Sequence, residues 1–366
     1  MNNSIEERKA DHIEICLEEN VQARRATTGF EDVSLVHKAL PEIERKKIDL
    51  STTVFGYKFS APLFVGAMTG GTAKALKINA AIAEAVEELN LGMGVGSQRV
   101  AIDNPKMERS FTVVREKAPT AFIVANIGGP QLVGKYGVKE AKKAVKMVEA
   151  NALAIHLNVL QEAVQPEGET DYSGLLRKIG EVAQALEVPV IVKETGAGIA
   201  AEEAKLLEEA GVTGIDVSGV GGTSWAAVEY YRAKKRQDEF RQRLGETFWD
   251  WGIPTAVSLV EAVKAVNIPV IASGGIRHGI DIAKTLALGA SLASATYPFL
   301  RPATKGPEDV KKALQFLIVE VRNAMFLVGA DSLQKLQKVP VVLTGKTAEW
   351  LRARGFQPEL YARRKA

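Results

Sequence analysis

The chain has 366 residues, 46% hydrophobic and 25% charged, the make-up of a globular protein, which excludes a disordered or fibrous one. Forty-seven Lys and Arg against 44 Asp and Glu leave a net charge of +3, too near neutral to point to nucleic acid. One cysteine, Cys16, excludes an intramolecular disulfide and any multi-cysteine zinc or iron–sulfur site.

The first residues, Met1-Asn2-Asn3-Ser4-Ile5-Glu6-Glu7-Arg8, hold no apolar stretch fit for a signal peptide. No run approaches the roughly 18 apolar residues of a membrane helix, so a soluble, cytoplasmic protein is expected. Residues 1–62 form an N-terminal arm in which 54–59 reads as a small hairpin covering the bottom of the fold that begins at residue 63. From residue 63 short apolar runs alternate with stretches of helical periodicity. The strand candidates are 63–68, 93–96, 121–127, 152–159, 189–193, 214–217, 269–272 and 292–296. Residues 73–89, 138–150, 172–186 and 200–210 are amphipathic helices between them.

Eight strand–helix units of roughly 30 residues each predict an α/β fold, a (β/α)8 TIM barrel with its core at 63–300. An open doubly wound sheet is the competing arrangement. No low-complexity linker divides the chain, so 1–366 reads as a single domain. An insertion at 223–255 follows strand six, and its 232–243 stretch carries six basic and two acidic residues. That stretch is either a solvated helix face or a lid over an anionic substrate. Residues 301–366 hold a C-terminal helix and a basic tail.

Nearly every strand ends in polar residues. Thr69 follows strand one, Ser97, Gln98 and Arg99 follow strand two, and Asn126 ends strand three. Strand four delivers His156, Asn158, Gln161 and Glu162, strand five Lys193, strand six Asp216, Ser218 and Thr223. Strand seven runs into Ser273-Gly274-Gly275-Ile276-Arg277, and strand eight ends Ala295-Thr296. Any one of these can be a satisfied turn residue, but unpaired buried polar groups are costly, so convergence from all eight strands predicts a binding site. Glycines after strand seven, together with a helix N-terminus near strands seven and eight, predict a phosphate site.

Lys193 fits either a Schiff base with a carbonyl substrate or a charge held at the N1–C2=O edge of a flavin. Its neighbours Ser97, Asn126, Ser218 and Thr223 favour the flavin. Gly219-Val220-Gly221-Gly222 is not a dinucleotide fingerprint, and Gly345-Lys346-Thr347 ends no phosphate-binding loop because Pro340 stands where the first glycine belongs.

The segment 50–62, Ala67-Met68-Thr69-Gly70-Gly71 and Gly274-Gly275-Ile276-Arg277 resemble FMN-dependent barrel enzymes. Arg8-Lys9-Ala10-Asp11-His12, Gly96-Ser97-Gln98-Arg99, 156–162, Lys193-Glu194-Thr195-Gly196 and Gly221-Gly222-Thr223-Ser224-Trp225 are similar to the type 2 isopentenyl-diphosphate isomerase family. The resemblance implies interconversion of isopentenyl and dimethylallyl diphosphate on reduced FMN, with NADPH or NADH as reductant and Mg²⁺ on the diphosphate. It implies FMN contacts at Ala67, Met68, Thr69, Ser97, Asn126, Lys193, Ser218, Thr223, Gly275, Ile276, Arg277, Ala295 and Thr296. Substrate contacts fall on Arg8, Lys9, His12, Ser97, Gln98, Arg99, His156, Asn158 and Gln161, and Glu162 is the metal ligand. Gln161 and Glu229 are the expected catalytic residues, the amide as a positioning group and Glu229 as a second acid/base beside flavin N5. Glu229's other reading is a solvated helix carboxylate.

Arg8 and Lys9 precede the barrel, so the arm must fold over the mouth or reach in from another subunit; a homo-oligomer, tetramer or octamer, is expected. An FMN oxidoreductase of the 2-hydroxy-acid oxidase type and a non-enzymatic flavin-binding protein are the alternatives. A reaction needing a nucleophilic cysteine in the barrel loops is excluded because Cys16 lies outside them.

Overall fold

A computed structural model describes the backbone of residues 5–364 and the side chains from Glu7 onward; Met1–Ser4 of the expected leaderless start and Lys365–Ala366 of the basic tail lie outside the described residues. The barrel strands are Leu63–Val65, Gly92–Gly94, Phe122–Gly128, Ala152–His156, Val190–Lys193, Gly214–Asp216, Val270–Ala272 and Leu292–Ala295. Each pairs in parallel with the next, and strand eight closes on strand one through Ala293–Leu63, Ser294–Phe64 and Ala295–Val65. Closure removes the open-sheet alternative and leaves no unpaired edge. Five strands stop earlier than expected at their C-terminal ends, most of all strand one at Val65 rather than 68 and strand four at His156 rather than 159, whereas strands five and seven end as expected and strand three one residue later. The polar residues therefore sit on loops and short helices above the sheet, where their backbones can bend toward one another.

The hairpin Thr52–Val54/Tyr57–Phe59 covers the N-terminal end of the barrel, as expected. Its turn places Phe55 (φ 53°) and Gly56 (φ 76°) in the left-handed region that a two-residue hairpin turn requires. The tip inserts Phe55 so far that a Cβ at Gly214 would lie 2.5 Å from its ring. Phe122, in strand three, gathers the rings of Phe55, Tyr57, Phe59 and Phe64 around it at 5.4–6.5 Å.

The ring of helices closes beyond residue 300, since the long helix after strand eight is Pro307–Leu327, packed on Ala73–Glu88 after strand one. The C-terminal segment is more than a helix and tail. Val341–Leu343 pairs antiparallel with Val33–Leu35 of the arm. Thr347 is 2% exposed, with its amide on Asp32 (2.9 Å) and its hydroxyl on the Gly29 carbonyl (3.2 Å). The Gly345-Lys346-Thr347 segment thus ties the two ends of the chain together.

The 223–255 insertion is two helices, Trp225–Lys235 and Glu239–Thr247, the second capped by Asp238. The basic stretch is largely the solvated face expected, with Lys234, Lys235, Arg236 and Arg243 exposed; Arg232 departs from it, 1% exposed and ion-paired with Glu229 and Glu167. With Ile15 and Val21 of the arm, Ala227, Val228 and Trp249 form a small core beside the barrel mouth.

Phe122→Ala is expected to lower stability by roughly 3–5 kcal/mol, because the ring is the centre of the hairpin plug and nothing else can fill its place. A urea unfolding midpoint unchanged from the parent protein would contradict that role.

Candidate active site

The C-terminal ends of the eight strands surround one cavity of about 280 Å³. All thirteen residues expected at the FMN border it: Ala67, Met68, Thr69, Ser97, Asn126, Lys193, Ser218, Thr223, Gly275, Ile276, Arg277, Ala295 and Thr296. Arg8, Lys9, His12, Arg99, His156, Asn158, Gln161 and Glu162 border it too.

Two expected residues do not. Gln98 is fully buried; its Nε2 donates to the Ala144 carbonyl (2.9 Å) and its Oε1 accepts from the Asn126 amide (2.8 Å). A glutamine pinned at both ends to the wall behind strand three supports Asn126 and has no reach into the cavity. Glu229 lies one layer behind the cavity surface, 3% exposed, accepting from His12 Nε2 (3.0 Å) and Gln161 Nε2 (3.1 Å) and paired with Arg232. Burial works against its charge, but the His12 hydrogen bond, Arg232 and Gln161 outweigh it and hold the carboxyl at about 2. It holds Gln161 and His12, which border the cavity, and does not itself border it.

The arm comes from the chain itself. Helix Ile5–Glu18 lies over the mouth, held to Trp225–Lys235 by His12–Glu229 and by Lys235 on Glu14 (2.7 Å). Beyond it the backbone joins Ala23 to Gly222 (2.8 Å) and Ser224 to Val21 (2.8 Å). Lys9 donates to the Ser97 carbonyl (2.7 Å); burial and the neighbouring Arg8 bring its ammonium down to about 7. Cys16 lies outside the barrel loops, as expected, but borders the cavity from the arm helix, and burial pushes its thiol up to about 12. A nucleophilic thiolate is thus excluded by desolvation, not by location.

His156 donates from Nδ1 to Asn126 Oδ1 (2.8 Å), an assignment the hydrogen-bond network dictates because the Asn126 amide nitrogen is on the Val95 carbonyl (3.0 Å). Burial, then Lys193 and Lys9, push its pKa down to about 3, so it is neutral in the unliganded cavity. Burial likewise lowers His12. Asn158 Nδ2 reaches both Gln161 Oε1 (3.2 Å) and Glu162 Oε1 (2.8 Å).

The phosphate turn differs from expectation in one respect. The first amides of the helix after strand seven, Gly279–Leu288, are already taken: Arg277 and His278 donate to Asp281 (3.1 and 3.0 Å), Gly279 to Glu320 (2.5 Å). The candidate anion cradle is therefore the Gly274-Gly275-Ile276 turn, which borders the cavity together with Thr296, where helix Tyr297–Lys305 begins. Gly275 (φ 72°) has no room for a side chain, since a Cβ would collide with the Thr28 methyl group. Gln22 Oε1 accepts from Arg277 Nη2 (2.6 Å), so the arm also braces the phosphate end.

Reasoning from sequence gave no role to Trp225, which borders the cavity with its ring edge-on to His12 at 5.1 Å. The signal was its place in the Gly221–Trp225 motif. Asp216, Thr195 and Tyr297 also border the cavity.

Residues 1–104 and 138–342 match the FMN-dependent dehydrogenase family. The structure is similar to a flavocytochrome b2 variant with sulfite bound, at TM-score 0.64 and 18% identity, covering 94% of this chain and 84% of that one. It is similar also to a mandelate oxidase, at TM-score 0.61 and 20% identity, covering 92% and 97%. Together these define the class, an FMN-dependent (β/α)8 barrel. An isopentenyl-diphosphate delta-isomerase of Methanosarcina barkeri is 53% identical over 355 residues, 97% of this chain and 96% of the relative. One of Pyrococcus furiosus is 52% identical, over 95% of this chain and 89% of the relative. The chain belongs to this isopentenyl-diphosphate delta-isomerase family.

Two outcomes test the site. A Cβ at Gly222 would come within 2.5 Å of the Gly275 amide nitrogen. Gly222→Ala should therefore weaken FMN binding about tenfold or more, measured by quenching of flavin fluorescence. Lys9, at about 7 in the folded chain against 10.5 in the unfolded, loses its proton on folding between those pH values, so its contribution to stability rises with pH across that window. An anionic ligand reverses this. At about pH 8 diphosphate binding should take up a proton, seen as a buffer-dependent binding enthalpy that Lys9→Met abolishes.

Proposed function

We propose that this chain interconverts isopentenyl and dimethylallyl diphosphate without net oxidation, using reduced FMN, with NADPH or NADH as reductant and Mg²⁺ on the diphosphate, in isoprenoid synthesis. The observation that carries the reading is the convergence, in one cavity, of every expected flavin contact with a cationic, amide-rich substrate side. Near-full-length identity of about half to isomerases of that name supports it.

The residues present fit both groups. For FMN there is a glycine turn too crowded for side chains, the Arg277 guanidinium, and Lys193 at the mouth. For Mg²⁺, Asn158 Oδ1 and Gln165 Oε1 are buried without hydrogen-bond partners in the segment that carries Glu162. Oxygen donors of this kind suit a hard cation that takes its remaining ligands from water and diphosphate. No three His, Cys, Asp or Glu side chains converge among the described residues, which fits a metal that arrives with its substrate.

Bound reduced FMN supplies an electron-rich ring that stabilises positive charge and a nitrogen able to give or take a proton. The protein's part begins with dryness. An alkene is a very weak base, so its protonation needs a site where developing charge is met by fixed dipoles rather than water. The Ile5–Glu18 helix covers the mouth, and Arg8, Lys9 and Arg99 provide charge for the diphosphate. Gln161 is locked between Asn158 and Glu229, so its amide holds one orientation beside the C5 unit. Neutral His12 and His156 add no positive charge where a carbocation develops, and Trp225 borders the same cavity.

We further place the protein in the cytoplasm as one folding unit that assembles into a homo-oligomer, tetramer or octamer. No helix among the described residues is long and apolar enough to cross a membrane, and exposed Phe240, Trp251 and Phe316 offer apolar contact surface.

Anaerobic incubation with FMN, NADPH, Mg²⁺ and isopentenyl diphosphate in D₂O, followed by NMR, tests the function. Deuterated dimethylallyl diphosphate is expected only with reduced flavin and without stoichiometric NADPH use; steady NADPH consumption or no conversion would refute it. In the same assay Glu229→Gln should lower kcat and raise KM together, since it frees Gln161 and also loosens His12 on the helix that carries Arg8 and Lys9.

A further inference from the structure

At the level where strands five and six leave the barrel, Lys193 and Asp216 stand directly opposite each other in the parallel ladder. His156 of strand four lies beside Lys193 in the same row. Lys193, Asp216 and His156 all border the cavity, and His156 is neutral. The charges of this row are therefore one ammonium and one carboxyl.

Asp216 is 5% exposed and held on several sides. Its side chain accepts from the Ser273 hydroxyl of strand seven and from the Ser218 amide. Its backbone carbonyl accepts from the Glu194 amide (3.1 Å), and the Glu194 carbonyl in turn accepts from Lys193 Nζ (2.6 Å). Ser218, at φ 40°, occupies a backbone region that costs a non-glycine residue of order 1 kcal/mol or more, so the surroundings must impose it. A carboxyl that accepts from the Ser218 amide and stands across the ladder from Lys193, within its Coulombic reach, is more than a structural filler, since an asparagine or threonine would make the same hydrogen bonds without an acid there.

We propose that Asp216 is the counter-charge of Lys193 and thereby sets the redox balance of the flavin bound above the pair, a tuning role that acts through Lys193 and rests on the FMN reading of the cavity. An uncompensated ammonium beside the N1–C2=O edge favours the anionic reduced flavin over the neutral oxidised one. A carboxylate beside that ammonium cancels much of the preference. The lysine then still orients the ring edge by hydrogen bonding while contributing little net charge. Such a site keeps reduced FMN electron-rich, the property that stabilising a carbocation requires.

The test is spectroelectrochemical titration of the FMN-loaded protein, paired with FMN affinity in both redox states. Asp216→Asn keeps an oxygen acceptor and removes only the charge. It should raise the preference for reduced over oxidised FMN about tenfold, a two-electron potential about 30 mV more positive. Ser273→Ala, which deletes a hydrogen bond to Asp216 and keeps the charge, should change that preference less than twofold. An unchanged or more negative potential in Asp216→Asn would overturn the proposal. So would equal shifts in both variants, or loss of FMN binding by Asp216→Asn with its fold intact by circular dichroism, either of which makes the residue structural. A parent protein that binds no FMN would instead remove the flavin reading, and this proposal with it.

Discussion

A carboxylate buried to 3% exposure stays ionised only if its lone pairs are taken by good donors, and Glu229 has His12, Gln161 and Arg232 on them. Each donor belongs to a different part of the mouth: the arm helix, the short helix after strand four, and the helix Trp225–Lys235 that carries Glu229 itself. Arg232 carries the connection one step further to Glu167, in the loop beyond Gln161 and Glu162. The lid over the cavity and the amide inside it are thereby fixed by one anion. Removing any donor leaves a buried charge short of a partner, so the parts cannot relax independently. The closed mouth rests on this electrostatic knot together with apolar packing, for Ile15 joins the small cluster with Val228 and Trp249 while Ile13 and Leu17 of the same helix join the main core.

That knot also marks where the sequence stopped being informative. The eight strands were legible because parallel strands covered on both faces read as short, continuous apolar runs, and polar residues at their ends could be aligned without knowing any contact. Which of those residues turn inward was not legible. Ser97, Gln98 and Arg99 are consecutive, yet Gln98 turns into the wall to hold Asn126 while its neighbours border the cavity. Cys16 looked remote because it precedes the barrel, but a helix laid across the mouth brings one of its faces, with Arg8, Lys9 and His12, onto the cavity. Pairing of Val33–Leu35 with Val341–Leu343 joins segments about three hundred residues apart, and three-residue strands carry too little pattern to be matched at that distance.

Charge is distributed in the cavity with some economy. Strand two and the arm bring the cations expected to meet the diphosphate, Arg99 from the one and Arg8 and Lys9 from the other, while Arg277 follows strand seven. Between them the titratable groups are kept neutral or matched. Burial suppresses the charge of both histidines, and the lowered Lys9 charges fully only when an anion is there to hold it. A site that is cationic at its ends and neutral in the middle attracts a diphosphate and still tolerates positive charge developing on an attached hydrocarbon.

The same scaffold is shared with a flavocytochrome b2 and a mandelate oxidase at 18–20% identity, so the barrel by itself does not select a reaction. The histidines do discriminate. Oxidation of a 2-hydroxy acid on a flavin needs a base able to take a hydroxyl proton near neutral pH, and imidazole serves best when its pKa lies near that range. His156 sits at about 3, and His12 is lowered by burial and committed to Glu229. His278 does not border the cavity. With no imidazole there placed to remain protonated after taking a proton, the cavity is poorly built for hydroxy-acid oxidation. Its amides, neutral rings and covered mouth are instead matched to moving a proton between two carbons of an alkene.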